Sequence, residues 1–132
     1  MHFMLDRSLC RPPGYSERGC LLVSYRLPLL AHCHILCHEG ERYGPANAAE
    51  LLTFAIAQAT ELAQRETGDR EAFMLIQSGH TVRKRGNWHV HIFVIERRWQ
   101  KAWLYLILGL KNAALALCGC IPPRKAGRAR TV

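Results

Sequence analysis

Two imidazoles spaced two residues apart, His89 and His91, are the side chains here whose type and spacing could do chemistry. They sit in Trp88-His89-Val90-His91-Ile92-Phe93-Val94-Ile95, a β-branched and aromatic run that reads as a strand. Strand side chains alternate between two faces, so Trp88, Val90, Ile92 and Val94 form one apolar face, and His89, His91, Phe93 and Ile95 form the other. With a rise of ~3.3 Å per residue the two imidazoles stand about 7 Å apart, side by side. A neutral imidazole so held can attack phosphorus, relay a proton or bind a metal. Phosphoryl chemistry also needs donors for the phosphoryl oxygens. Arg83, Lys84, Arg85 and Asn87, in the connection just before the strand, are candidates for that work, with an ordinary solvated hairpin tip as the alternative.

Ala31 to His38 repeats the pattern. As a strand it places Ala31, Cys33, Ile35 and Cys37 on one face and His32, His34, Leu36 and His38 on the other. If both strands lie in one sheet with their apolar sides under the same helix, up to five histidines share the opposite face, and His34 joins His89 and His91 at the site. His32 and His38 read as tolerated surface residues.

The elements that must position these strands follow from periodicity and breakers. Residues 1–19, with Pro12-Pro13-Gly14 and Glu17-Arg18-Gly19, read as an irregular, flexible arm. Residues 20–26 read as a first strand, interrupted by Pro28. Asn47, with Glu50 three residues on, reads as the N-cap of a helix over 47–66. Its apolar positions Leu51, Leu52, Ala55, Ile56, Ala59, Leu62 and Ala63 recur at helical spacing, and Gly68 ends it. Ala72 to Gln77 reads as a short strand antiparallel to the histidine strand. An apolar helix over 102–117 is expected to be buried or to form a homodimer, because its clean run from Ala102 to Leu110 is too short to span a membrane. The expected organisation is therefore one α+β domain over 20–120, with an antiparallel sheet, one long helix packed on it and an apolar C-terminal helix. A basic tail over 121–132 follows.

Composition narrows the partners. The chain has 132 residues and a formal net charge of +8, which favours a polyanionic partner: a nucleotide, nucleic acid or an anionic membrane surface. Arg124, Lys125, Arg128 and Arg130 concentrate part of that charge in the tail. Six cysteines, at 10, 20, 33, 37, 118 and 120, come without a secretory-type leader, so free thiols and a cytoplasmic location are expected.

Taken in order, these residues resemble the histidine-triad (HIT) superfamily of nucleotide hydrolases and transferases over about Leu21 to Arg98. Tyr25-Arg26-Leu27-Pro28 and His34-Ile35-Leu36 resemble the family's first hairpin, and the 47–66 helix falls where the family has its long helix. Ala72-Phe73-Met74-Leu75-Ile76-Gln77-Ser78-Gly79 is similar to the strand ending in an Asn-Gly-type turn. His89-Val90-His91-Ile92-Phe93-Val94-Ile95 resembles the His-x-His-x-His signature. The resemblance implies a nucleotide phosphohydrolase or nucleotidyltransferase with His91 as nucleophile and His89 as its structural and proton-relaying neighbour. It implies no cofactor and no metal, and a common tendency to dimerise. Phe93 stands where the third histidine would be and cannot hydrogen-bond to phosphate, so an inactive or repurposed binding module is also implied.

Two other chemistries remain open. His-hydrophobe-His on a central strand also marks HUH endonucleases, in which two histidines hold a divalent metal and a helix-borne tyrosine attacks a single-stranded DNA phosphate. His89 and His91 would be the ligands and Tyr105 the nucleophile, although Tyr105 lies in an apolar run that reads as core. His32-Cys33-His34 with Cys37-His38 offers soft zinc ligands, but on an unbroken strand the cysteines point away from the histidines.

Overall fold

The structure, a computed structural model, describes residues 4–40, 45–79 and 87–119. Its elements are β1 (Leu5–Cys10), a 3-10 turn (Ser16–Arg18), β2 (Cys20–Leu27), β3 (Leu30–His38), α1 (Pro45–Thr67), β4 (Phe73–Gln77), β5 (His89–Val94) and α2 (Arg98–Gly119). The strands form a five-stranded sheet in the order β1-β2-β3-β5-β4, and every neighbouring pair is antiparallel. The protein is thus an α+β domain, with α1 on one face of the sheet and α2 against part of the other.

The α1 face carries the larger core. Leu51, Ala55, Ala59, Leu62 and Ala63 of α1 are buried against Val90, Ile92 and Val94 of β5 and Trp88 just before it, together with Leu22 and Leu36. The apolar face expected for the histidine strand is therefore the one beneath the long helix. Alanines at 55, 59 and 63 let the helix backbone approach the sheet closely, and the bulk is supplied from the strand side. α1 ends where the left-handed conformation of Gly68 (φ 79°) turns the chain, and the Gly68 N–H donates to the Gln64 carbonyl at 2.9 Å. Its start differs from the expectation: the helix begins at Pro45, a residue suited to a first turn that needs no N–H, so Asn47 lies inside it rather than at the cap.

The stretch 1–19 is not simply an irregular arm. Leu5–Cys10 pairs with β2 as an edge strand with a bulge between Leu5 and Ser8. Its side chains are exposed, so its sequence shows no buried period-two face, and this is why it reads as irregular. Tyr15 follows as a core anchor, 1% exposed, with its ring edge-on to Phe54 at 5.0 Å and its hydroxyl donating to Gln58 Oε1 at 3.0 Å.

The second core lies on the other side of the sheet and is smaller. Tyr25, Leu27, Leu30, Cys33 and Phe93 are buried under Leu104 of α2. Trp103 Nε1 donates to the Pro28 carbonyl at 2.6 Å and ties α2 to the β2–β3 turn. Beyond these contacts α2 runs free of the sheet, since Leu104 and Ile107 are its buried residues among those described. The apolar helix expected over 102–117 is therefore present and longer, but most of it is not buried.

Candidate functional site

β5 positions His89 and His91 as the alternation requires. The register across the sheet sets Leu9, Val23, Ile35, His91 and Ile76 in one rung, so His91 stands near the middle of the face opposite α1. Cys37 lies directly across from His89 in the next rung. Both histidines are half-buried. Their rings meet edge to face with centroids 5.3 Å apart, and the Phe93 ring lies parallel to that of His91 at 6.0 Å.

Hydrogen bonds orient the pair. The Nδ1–H of His89 donates to the Asn87 carbonyl at 3.0 Å, which leaves the lone pair of the neutral ring on Nε2. His91 Nδ1 lies 3.5 Å from the Tyr25 hydroxyl, a long contact that reaches across β3. Burial pushes the Tyr25 phenol well above its ordinary range, so this hydroxyl stays protonated and can donate or accept. When His91 Nδ1–H donates to Tyr25 Oη, the lone pair lies on Nε2, as in His89. Anchoring an imidazole at Nδ1 fixes its tautomer and ring orientation, as nucleophilic or acid–base work by an imidazole requires.

The register also separates residues that the sequence placed together. Ile35 pairs with His91 and His34 with Ile92, so the odd-numbered residues of β3 share the face of His89 and His91. His32, His34 and His38 therefore lie on the α1 face, and the expected five-histidine face does not form. His34 is 6% exposed. Its Nδ1 is 2.8 Å from Ser24 Oγ, and its Nε2 is buried without a hydrogen-bond partner among the described residues. Burial, helped by the nearby Arg65 and His32, pulls the His34 pKa down to about 4, so it is a neutral core residue near pH 7 and not a phosphate ligand at the pair. His32 faces Glu66 of α1 at 3.5 Å. Arg65 donates to the Glu66 carboxylate and is the main cause of that carboxyl titrating below its usual range.

Other expected site residues divide as follows. Asn87 is exposed, and its carbonyl is committed to His89. Arg83, Lys84 and Arg85 lie outside the described residues. Phe93, which the resemblance sets against a third histidine, is 1% exposed and sits in the core beneath α2, closed off from solvent. Tyr105 is exposed, not core, and its ring lies beside Lys101 at 5.9 Å. The zinc arrangement fails on geometry: β3 is unbroken, Cys33 and Cys37 face away from its histidines, and burial pushes the Cys33 thiol up to about 12. Among the described residues no group of three His, Cys, Asp or Glu side chains is placed to hold a metal ion.

Tyr25 is the residue that sequence reasoning missed. It belongs to the first hairpin, two strands away from the signature, and only the pairing of β2 with β3 and β3 with β5 brings its hydroxyl to His91. A cleft of about 370 Å³ lies elsewhere, on the α1 side at the β2–β3 end of the sheet, lined by Arg26, His32, Glu66, Thr67 and Gln100 among others. Its lining does not include the histidine pair, which stands half-buried on the other sheet face. No family model matches the chain, and neither a curated protein nor a solved structure matches it.

Proposed function

We propose that this protein acts on nucleotide phosphates in the manner of a HIT-like hydrolase or nucleotidyltransferase, with His91 as the nucleophile. The reading is carried by one observation: His89 and His91 stand together on one sheet face, each contacted at Nδ1. The order of elements adds support, because a hairpin, a long helix, a short strand and the histidine strand follow one another as the resemblance requires.

In this mechanism His91 Nε2 attacks phosphorus while Tyr25 accepts the Nδ1–H bond. The N–P bond forms as the bond to the leaving group breaks, and His89 in its protonated form supplies the leaving group's proton. Water, or a second acceptor in the transferase case, then attacks phosphorus and releases His91, returning a proton to His89. Phe93 offers no third imidazole, so among the described residues leaving-group protonation falls to His89.

The test is acid-lability trapping with a labelled nucleoside phosphoramidate or dinucleoside polyphosphate. The expected result is acid-labile, alkali-stable label on His91, absent in His91→Gln and insensitive to EDTA. A folded wild-type protein that neither takes up label nor consumes any nucleotide in the panel refutes the reading. Tyr105 gives a second reading some footing, because it is exposed on the helix that packs against the same sheet face. In that reading single-stranded DNA is nicked with a divalent metal and Tyr105. The described residues supply two imidazoles and no third ligand, so the metal does not fit the site as it stands. Nicking that needs both metal and Tyr105 would displace the first reading.

A further inference from the structure

The unpartnered surface of α2 is the largest feature that the histidine chemistry leaves unused. Trp99, Leu106, Leu110, Leu115 and Leu117 are all exposed, the last at 71%. Every described residue from Gly109 onward is exposed, so the second half of the helix stands clear of the sheet. By length and composition α2 is apolar enough to enter a bilayer.

We propose that α2 docks the protein onto an anionic lipid surface. The basic flanks and the exposed aromatic rings choose this occupant over a second copy of the chain. Trp99, Leu106, Leu110 and Leu117 lie within about 40° of one another around the helix axis, one exposed apolar stripe, with Lys111 about 100° away from Leu110. A helix lying flat on a bilayer buries that stripe in the acyl boundary and leaves Lys111 at its water edge. The flanks are basic: Arg97, Arg98 and Lys101 stand at the start of α2, and Arg124, Lys125, Arg128 and Arg130 follow its end in the sequence. Such flanks suit headgroup phosphates, while pairing two chains of net charge +8 through this helix brings like charges together. Trp99 and Tyr105, exposed in the first two turns beside those basic residues, are the amphipathic rings that favour the headgroup boundary.

Lys111 and Asn112, midway along the helix, set its orientation. A helix lying along the boundary lets the Lys111 ammonium reach water, whereas a helix crossing the bilayer would carry it into hydrocarbon. The arrangement is therefore a surface-lying anchor, held by apolar burial and by contacts to headgroup phosphate.

The experiment is vesicle flotation of the full chain, using phosphatidylcholine vesicles with and without phosphatidylserine. Binding is expected to the phosphatidylserine vesicles, to weaken as salt rises, and to fall to background in the double variant Leu110→Asp and Leu117→Asp. Both positions are exposed, so the fold should survive, which circular dichroism checks. Replacing Arg124, Lys125, Arg128 and Arg130 together by Gln should weaken binding about tenfold or more without touching the described fold. Free inositol hexakisphosphate is the soluble control: equal competition for wild type and the aspartate variant would show a phosphate site without a lipid anchor and overturn the proposal. It is also overturned by the absence of binding to either vesicle. Sedimentation showing a dimer that the aspartate substitutions dissolve, with no vesicle binding, would make a second copy the occupant instead.

Discussion

Replacing His34 by Gln separates a structural histidine from a chemical one, and the expected size follows from its surroundings. His34 is buried under α1, with Ser24 Oγ on one ring nitrogen and, among the described residues, no partner on the other. Burial is the largest cause of its pKa falling from 6.5 to about 4. The folded protein thus keeps His34 neutral at pH values where the unfolded chain takes up a proton. Between the two values the unfolded state holds more protons, so stability contributed by the neutral ring is complete above 6.5 and is lost progressively down to about 4. At ~1.4 kcal/mol per pH unit the full loss is up to about 3 kcal/mol, of which about 2 kcal/mol falls between pH 6.5 and pH 5. Glu66, whose carboxyl is held below its ordinary value chiefly by the hydrogen bond from Arg65, contributes stability that is present above about 4.5 and lost only on further acidification. A comparison at about pH 7.5 and about pH 5 therefore avoids it. Urea unfolding of wild type and His34→Gln, followed by tryptophan fluorescence, should show wild type losing about 2 kcal/mol more than the variant over that interval. Equal losses, within about 0.5 kcal/mol, would refute the argument that burial keeps this ring neutral. Labelling of His91 should persist in the same variant, because His34 lies on the other face of the sheet.

Three further substitutions probe the elements that hold the site. Phe93→His should destabilise the protein by about 2–4 kcal/mol in urea and gain no hydrolysis, since it puts a polar ring in a closed apolar cluster under Leu104. Trp103→Phe removes the bond to the Pro28 carbonyl and should cost about 1 kcal/mol, seen as faster amide exchange in the first half of α2 with little change in α1. Tyr15→Ala should cost about 3–5 kcal/mol in thermal or urea unfolding, because it empties a buried aromatic site and strands Gln58. A change no larger than that of a surface substitution would show that the 1–19 stretch is as loosely attached as its composition suggests.

The sequence by itself determined what each segment can do alone. Period-two alternation fixed which residues of the 88–95 strand face a helix and which carry imidazole, and helical spacing with a glycine stop fixed the long helix to within two residues at each end. Both are local properties, written in the chain because a strand or helix turns its side chains by a constant angle. The tertiary structure decided how segments meet. The pairing of Ile35 with His91 put the β3 histidines on the far face, and a slip of one residue would have put them with the pair. The same pairing brought Tyr25 to His91, and the packing of Leu104 closed Phe93 off from solvent. Register depends on which residues lie opposite one another across strands distant in sequence, and alternation is indifferent to that choice. For this reason the histidine pair was legible in the sequence, and its neighbours were not.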